Sequence, residues 1–598
     1  MIGRLPLHGE HVQVAVSGKA AAAARSTGAG LYRAHVLSDG RYLVALDGDI
    51  TNLAEAARAE GIEGSPEPAR LVLELHRATG AGFLSRLRGE FVLVVHDSTT
   101  ERVLLARSFI ANRPLYFAQQ DGRLWFASGM APIVRQEGYR KAVDRSALPM
   151  VLTFRGTFGP RTPFADLRKV VPGCYFEGCV DRPLPCRVFY RPDPPEKSNE
   201  TAREFGDRIW DALGRSVRRG LRVGEPDPAR PALLVSGGID SALVARKLQE
   251  LGRTDALAIS CGYASEAAAA HDESAAAERT AERSGLPFRR IVTGAADDLL
   301  SSLRHAVRVT EEPVRVYIAI PIARALARTE AACDTLLTGT FADVLFGERM
   351  HYDTPILDFR RRWPRLASAV RASLPVTTRI PKFGGYARWF RRGDVDDMRE
   401  YLFVHQRPNG SLRGLLPQPK LEDCAPHLDQ LLEQNPGLSA ADEYTTIETM
   451  MYAYTWNETF GKLAAARSME AFHPFQSDEL YRLALEMPYR GKIARRHTKP
   501  YLRELAARLT SRELAYDEKH IFSSPGPGWL TRSEALVSFA LALGEPGARV
   551  RDHLDRAALD RLIEDYGRKI RADELDGRTC QLVYTVVGLE LWLQEFFG

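Results

Sequence analysis

The chain has 598 residues, too many for one hydrophobic core, so two or three domains are expected. Its net charge of +5, from 81 basic and 76 acidic side chains, is too weak over this length to indicate a nucleic-acid partner. Seven cysteines without a CxxC pair argue against a zinc ribbon or a disulfide framework and suit a reducing cytoplasm. No signal-peptide core and no run of 18 apolar residues occurs, so no membrane span is expected.

The first 190 residues are predicted to be rich in β-strands. Apolar runs at 42–48, 90–97 and 102–107 are bounded by Gly, Asp and Ser, which is typical of strands. Between them, apolar residues at three- and four-residue spacing predict a helix over 66–80. The proline-rich, charged segment 191–201 then predicts an interdomain linker.

The rest of the chain, 202–598, is predicted to form a second, larger domain. An amphipathic helix over 202–219 is followed by short apolar runs that alternate with helical patterns as far as Ala332. Such alternation favours an α/β domain with a mostly parallel sheet. Beyond Gly347 the pattern becomes mainly helical.

A Ser-Gly-Gly-Ile-Asp-Ser loop at 236–241 joins an apolar strand, Ala232 to Val235, to a helix. Glycines let a backbone approach a phosphate without a Cβ clash, and a helix N-terminus presents free N–H groups and a positive dipole end to an anion. Ser236 and Ser241 add hydroxyl donors, and Asp240 is a candidate Mg²⁺ ligand. The absence of a GK[ST] sequence disfavours a Walker loop. The loop resembles the PP-loop of ATP pyrophosphatases, which release pyrophosphate and leave AMP on the substrate.

A second strand and loop, 335–347, carries Thr338, Gly339 and Asp343. With the PP-loop, it resembles the asparagine synthetase and β-lactam synthetase superfamily, whose strand ends in [ST]GxxxD. The resemblance implies that Asp343 joins Asp240 as a Mg²⁺ ligand. It also implies that the residues around the nucleotide are Val235, Ser236, Gly237, Gly238, Asp240, Ser241, Cys261, Thr338 and Gly339.

Two further residues match the same superfamily. Glu458 lies 16 residues before Pro474 in a spacing that resembles β-lactam synthetases, which implies a catalytic base. Lys499 lies in a K-x-x-L-R sequence, which implies an ammonium that stabilises developing negative charge. Thr340 departs from the pattern, because relatives carry Glu or Tyr three residues before Asp343. Threonine cannot relay a proton as those groups do, so Glu458 is expected to work alone or with a group that the sequence does not identify.

The N-terminal region resembles an Ntn-type glutaminase. The segments that carry this resemblance are 46–52, 87–91, 107–116 and 125–128. That chemistry needs cysteine as the first mature residue. Here Met1 is followed by Ile2, and the first cysteine is Cys174. The domain is therefore expected to make no ammonia and to serve a structural or docking role.

The resemblance implies an α/β fold with an N-terminal αββα Ntn-type domain, 1–190, and a C-terminal PP-loop domain, 202–598, whose last part is largely helical. An insert over about 348–439, rich in Arg and aromatic residues at 359–365 and 379–392, favours a peptide substrate.

The function that the resemblance favours is a lasso peptide cyclase that uses ATP and Mg²⁺. It would adenylate an Asp or Glu side chain of a precursor peptide and join it to the peptide's N-terminal amine. A leader peptidase and a leader-binding protein are the implied partners, and no nucleic acid is expected. A β-lactam-synthetase-like small-molecule enzyme and an ammonia-dependent asparagine synthetase are the alternatives.

Overall fold

The structure of the chain is a computed structural model. It describes residues 11–17, 20–26, 33–62, 67–110, 112–154, 156, 159–190, 195–226, 228–264, 272–313, 316–329, 332–377, 398, 414–417, 426–433, 437–452, 456–494, 497–517 and 525–598.

Two β-sheets form the N-terminal part of the described chain. The first has the order β1-β2-β8-β7-β9 and the second β11-β10-β6-β5-β4-β3. The strands are β1 His11–Ser17, β2 Ala20–Ser26, β3 Arg33–Ser38, β4 Tyr42–Ile50, β5 Gly89–Asp97, β6 Arg102–Arg107, β7 Tyr116–Gln120, β8 Arg123–Ala127, β9 Leu167–Lys169, β10 Cys174–Cys179 and β11 Cys186–Val188.

Alternation along the strands explains why the two sheets stack. Leu43 of β4 packs with Phe117 and Phe126 in the core between the sheets. The next residue, Val44, packs on the opposite face with Val72, a helical residue. Helices also cover the outer face of the first sheet, so the layers are helix, sheet, sheet, helix. The predicted αββα arrangement is confirmed, as is the helix predicted over 66–80, which the structure has at Pro68–Thr79.

A third sheet, parallel throughout, forms the centre of the C-terminal part. Its order is β14-β13-β12-β15-β16, so the strand that leads to the PP-loop lies in the middle. Leu233 and Leu337 face one layer of helices, and Ala232 and Leu336 face the other. The strands are β12 Pro231–Leu234, β13 Leu257–Tyr263, β14 Phe288–Thr293, β15 Thr335–Leu337 and β16 Glu470–Phe472.

Helices make up most of the remainder. They are α1 Leu53–Ala59, α2 Pro68–Thr79, α3 Ala131–Val134, α4 Leu148–Phe154, α5 Ala202–Gly220, α6 Ile239–Glu250, α7 Ser274–Arg283, α8 Leu299–Thr310, α9 Val316–Ala327, α10 Ala342–Phe346, α11 Thr354–Arg362, α12 Pro364–Thr377, α13 Pro426–Glu433, α14 Ala440–Tyr452, α15 Glu458–Ala465, α16 Asp478–Glu486, α17 Tyr489–Lys492, α18 Pro500–Leu509, α19 Arg512–Tyr516, α20 Gly526–Arg532, α21 Glu534–Ala542, α22 Arg556–Arg571 and α23 Gly577–Phe597.

The largely helical C-terminal part is confirmed, with β16 as an unpredicted exception that adds a fifth strand to the parallel sheet. Within the described residues, no helix combines the length and the apolar character that crossing a bilayer requires. Of the predicted basic-aromatic segments, 359–365 lies in α11 and at the start of α12. The segment 379–392 lies outside the described residues.

Candidate active site

The site begins at the PP-loop, 236–241, which follows β12 and leads into α6. The loop is held by its own serines: Ser236 N–H donates to Ser241 Oγ at 3.1 Å, and Gly238 N–H donates to Ser236 Oγ at 3.2 Å. Helix α6 begins at Ile239, and its N-cap residue, Gly238, has no side chain that could cap the N-terminal N–H groups. Those donors and the helix dipole are therefore available to an anion such as a phosphate.

Glycines are required in these loops by close contacts. A Cβ at Gly237 would lie 2.8 Å from Ala276 Cβ on α7. A Cβ at Gly339, in the loop after β15, would lie 2.5 Å from the backbone nitrogen of Ser241. The loop after β15 thus lies directly against the PP-loop, as expected for neighbouring parallel strands that end at one edge of a sheet.

Lys499 joins the two predicted metal ligands. Its Nζ lies 2.6 Å from Asp240 Oδ2, 2.7 Å from Asp240 Oδ1 and 2.7 Å from Asp343 Oδ1. The lysine side chain is 1% exposed, whereas that of Asp343 is 37% exposed, so the cluster opens to solvent on the Asp343 side. Three residues predicted from separate motifs therefore meet at one point.

The carboxylates of Asp240 and Asp343 fit a magnesium ion that is shared with phosphates. Both contact a single cationic nitrogen, so one cation can lie between them. In the described part of the chain, no group of three or more His, Cys, Asp or Glu side chains is arranged for a metal. Two carboxylates suit Mg²⁺, which in phosphate-transfer sites takes one or two protein carboxylates and fills its shell with phosphate oxygens and water.

Backbone strain marks both sides of this cluster. Lys499 has a φ of 56° and Phe341 a φ of 82°, both in the left-handed region that non-glycine residues seldom adopt. Lys499 is held there because its N–H donates to Lys492 O at 2.8 Å, and its carbonyl accepts from Arg503 N–H at 2.8 Å. Such strain costs about 1–3 kcal/mol per residue and persists where the surrounding structure enforces it, commonly at functional sites.

Val235 and Cys261 lie near the carboxyl ends of the neighbouring strands β12 and β13. Val235 N–H donates to Ile259 O at 2.9 Å, which continues the pairing of the two strands towards the PP-loop. Cys261 Sγ donates to Pro321 O at 3.4 Å. Burial raises the pKa of the Cys261 thiol to about 12, so it stays protonated and neutral near pH 7.

A histidine that the sequence did not indicate lies beside Thr338 and Thr340. His473 directly follows β16, and its Nδ1 lies 2.6 Å from Thr338 Oγ1 and 2.9 Å from Thr340 Oγ1. The two hydroxyl oxygens are 2.7 Å apart. The imidazole is fully buried, and Nε2 has no hydrogen-bond partner among the described residues. Because burial lowers its pKa to about 3, the ring is neutral near pH 7.

Glu458 has its contacts elsewhere, at the boundary with the N-terminal part. Its carboxylate accepts hydrogen bonds from Arg107 Nη1 at 2.9 Å, Tyr116 OH at 3.0 Å and Lys169 Nζ at 3.4 Å. Burial acts to raise the pKa of Glu458, but Lys169, Arg107 and Lys462 outweigh it and hold that pKa below the usual range. None of these contacts ties Glu458 to Lys499, so its role as a catalytic base stays a prediction.

Other residues of the N-terminal motifs form ion pairs across the same boundary. Arg113 contacts both Asp47, at 3.1 Å, and Glu470, at 2.9 Å. A second such pair, Arg219 with Glu90, has a separation of 3.1 Å. Side chains from motifs that resemble a glutaminase thus join the two parts of the chain.

Comparison with known families agrees with both parts. The sequence profile described as a glutamine amidotransferase domain matches residues 33–183. The profile described as asparagine synthase matches residues 208–594, which is more than half of the chain. The chain belongs to the asparagine synthase family. It is accordingly an ATP-dependent, amide-forming carbon–nitrogen ligase of the AMP-forming type.

Individual relatives of this asparagine synthase family member are distant. It is 24% identical over 552 residues to proteins of Mycobacterium tuberculosis and Mycobacterium bovis described as "Putative asparagine synthetase (glutamine-hydrolyzing)". That match covers 88% of this chain and 81% of those proteins. Amidase chyE of Penicillium rubens is 25% identical over 186 residues, covering 31% of this chain and 26% of the amidase. Glutamine phosphoribosylpyrophosphate amidotransferase from B. subtilis, a solved structure, is 13% identical with a TM-score of 0.18 and covers 43% of this chain and 47% of its own.

Proposed function

We propose that the protein is a macrolactam-forming ligase of the lasso peptide cyclase type. It adenylates an Asp or Glu side chain within a precursor peptide and joins that carboxyl group to the peptide's own N-terminal amine, releasing AMP and pyrophosphate. The insert is attached beside Lys499, and this observation carries the choice of a peptide as substrate. The nucleotide loops support the adenylation step, and the domain boundary supports the choice of amine.

The nucleotide loops supply the adenylation half of the reaction. The N-terminus of α6 offers backbone N–H groups and its positive dipole end to the phosphates of ATP, beside the hydroxyls of Ser236 and Ser241. Asp240 and Asp343 would hold Mg²⁺, which neutralises phosphate charge when bound. Lys499, almost fully buried beside them, places an ammonium where negative charge builds up on the phosphate and on the acyl oxygen.

The contacts at the domain boundary argue against ammonia that the N-terminal domain would deliver. They therefore favour a different attacking amine. Arg107 and Glu458 pair there with side-chain exposures of 0% and 4%, and Lys169 beside them is fully buried. Side chains of the glutaminase-like motifs thus hold the two domains together through ion pairs. A buried pair of this kind is costly to break, because removing one partner leaves the other charge buried with less compensation. We therefore expect the two domains to keep one fixed arrangement.

The insert supports a peptide substrate. It begins after α10, the helix that includes Asp343. Its first turns contact the segment that leads to Lys499. Tyr352 OH donates to Ala494 O at 3.1 Å, and Tyr489 OH donates to His351 O at 3.2 Å. A substrate held by the insert is consequently held close to the ammonium and the two carboxylates.

The described start of the insert exposes a basic, an aromatic and an aliphatic side chain close together in sequence. Trp363 is 53% exposed and Leu366 is 52% exposed, the two highest values for large apolar side chains among the described residues. The Arg362 guanidinium lies 5.9 Å from the centre of the Trp363 ring. Exposed Trp and Arg side chains are the types most often found at the energetic centre of peptide and protein interfaces.

The reaction proceeds in two steps on this arrangement. A carboxylate of the peptide attacks the α-phosphorus of ATP, and pyrophosphate leaves. The N-terminal amine, whose pKa is about 7.7–8.0 when free, is partly neutral near pH 7 and attacks the acyl carbon. Holding the two ends of one peptide together supplies about 7–11 kcal/mol of the acceleration. A leader peptidase, a leader-binding protein and a cytoplasmic location belong to the same proposal.

The proposal is tested with purified protein, α-labelled ATP, Mg²⁺ and a pool of synthetic linear peptides that carry a free N-terminus and one internal Asp or Glu. We expect labelled AMP and a peptide product lighter by one water. N-terminally acetylated peptides, as matched controls, should give AMP without the lighter product. L-Aspartate with ammonium chloride should give neither.

Two results would contradict the proposal. Asparagine formed from aspartate and ammonium, with no peptide conversion, would identify an ammonia-dependent asparagine synthetase. AMP formed with small amino acids only, and a cyclised small molecule, would identify an enzyme of the β-lactam synthetase type.

A further inference from the structure

Three side chains form a closed hydrogen-bonded cluster where β15 and β16 end. Thr338 Oγ1, Thr340 Oγ1 and His473 Nδ1 lie within 2.6–2.9 Å of one another. Thr338 and His473 are buried, at 2% and 0% exposure, whereas Thr340 is only partly buried. Thr340 is thus the member of the cluster that a ligand bound in the site can contact.

We propose that Thr340 receives the attacking amine of the acceptor, and that His473 is the positioning residue that turns the Thr340 hydroxyl into a hydrogen-bond acceptor. The inference rests on the proposed function, since it names the group that holds the amine in that reaction. It also answers the question raised by Thr340, which stands where relatives carry Glu or Tyr.

The tautomer of His473 sets the direction of the hydroxyl protons. A neutral imidazole with its proton on Nε2 accepts at Nδ1. One hydroxyl then donates to Nδ1 and the other donates to its neighbouring hydroxyl, so both protons stay within the cluster. Whichever hydroxyl donates to Nδ1, at least one lone pair of Thr340 Oγ1 is left for a ligand. This tautomer is part of the proposal, since the distances alone also allow Nδ1–H to donate to a hydroxyl. The Phe460 ring stands at 69° to the imidazole with centroids 5.9 Å apart, which suits an N–H directed at an aromatic ring.

The position of Thr340 matches the place where the amine must arrive. Its neighbour Gly339 lies against Ser241 of the PP-loop, and Asp343 follows three residues later. An amine that donates one N–H to Thr340 Oγ1 is held beside the bound adenylate with its lone pair free to attack. The C–N bond then forms as the C–O bond to AMP breaks. AMP leaves with that electron pair, and its phosphate takes the proton that the nitrogen loses.

Position-specific variants separate this role from simple packing. In His473→Asn, an amide group occupies the position of Nδ1, whereas in His473→Gln it extends to the position of Nε2. Thr340→Val removes the hydroxyl at constant shape, and Thr340→Ser keeps it. Thr329→Val, which loses a buried hydroxyl bonded to Ala325 O at 3.0 Å, is a matched control outside the site.

The measurement is the partition ratio, the amount of amide formed per AMP released, with the synthetic peptide pool and ATP. We expect Thr340→Val and His473→Gln to release AMP within about twofold of wild type. Their partition ratio should fall about tenfold, the loss of one directed hydrogen bond, because water then competes for the adenylate. Thr340→Ser, His473→Asn and Thr329→Val should keep the wild-type ratio.

The outcomes distinguish the inference from the function on which it rests. If wild type makes amide and all six proteins share one partition ratio, the inference alone is wrong. A parallel loss of AMP and amide in all four site variants would make the cluster purely structural and would also overturn it. If wild type makes no AMP with the pool, the proposed function fails, and the inference fails with it.

Discussion

Arg107 donates a 2.9 Å hydrogen bond to Glu458 across 351 residues of sequence, and both side chains are almost completely removed from solvent. The pair joins a strand of the N-terminal part to a helix of the C-terminal part. Lys169 adds a second cation at 3.4 Å from the same carboxylate. A charge that is buried and paired in this way is costly to remove.

Glu458→Gln is therefore expected to destabilise the protein by about 3–5 kcal/mol, because Arg107 and Lys169 lose their compensating charge. The measurement is the thermal midpoint. A double variant, Arg107→Met with Glu458→Met, should recover part of that loss, since it removes the unpaired Arg107 charge, and Lys169 keeps Glu312 at 3.9 Å.

The same double variant tests the catalytic role predicted for Glu458. Because the hydrogen bonds of Glu458 among the described residues come from Arg107, Tyr116 and Lys169 of the N-terminal part, amide formation should return together with thermal stability. A double variant that melts as wild type does and releases AMP, yet forms no amide, would instead support Glu458 as the base.

Lys499→Ala should lower peptide-dependent pyrophosphate release by at least about 100-fold, the usual effect of removing one preorganised group that stabilises transition-state charge. Lys569→Ala is the matched control, because Lys569 also bridges two carboxylates, Asp565 at 2.8 Å and Asp576 at 2.6 Å, on a surface helix. Equal activity of the two variants would remove Lys499 from the reaction.

Gly339→Ala should weaken ATP binding with little change in the thermal midpoint. Its Cβ would meet the backbone nitrogen of Ser241 at 2.5 Å, so the PP-loop would have to move. Gly437→Ala, where nothing lies within 4 Å of the added Cβ, is the control and should bind ATP normally. Binding is measured by calorimetry, and unchanged affinity in Gly339→Ala would show that the two loops do not need their contact.

His473 should make stability fall as the pH is lowered from about 6.5 towards 3. Its pKa is about 3 in the fold and about 6.5 when unfolded, so in that window the unfolded chain binds the proton and the folded protein does not. At pH 5 the effect amounts to about 2 kcal/mol. Compared with His473→Asn, wild type should lose more of its thermal midpoint between pH 7 and 5, and equal losses would contradict a neutral buried imidazole.

Much of the nucleotide site could be predicted because its parts are local in sequence. β12 and β15 lie where the apolar runs place them, and Asp240 and Asp343 meet because each follows a strand of one parallel sheet. β16 has three residues and too short a pattern to show a period, so the strand and the histidine after it were missed. The partners of Glu458 are hundreds of residues away, and no local pattern encodes such pairs.

In the proposed reaction, the PP-loop, Asp240, Asp343 and Lys499 transfer AMP to a carboxylate of a peptide. The decisive experiment incubates the protein with α-labelled ATP, Mg²⁺ and the synthetic peptides, and separates the labelled nucleotides. We expect peptide-dependent AMP with an equal amount of pyrophosphate, abolished when Asp240 is replaced by alanine. Labelled ADP in place of AMP would show that the protein does not transfer AMP.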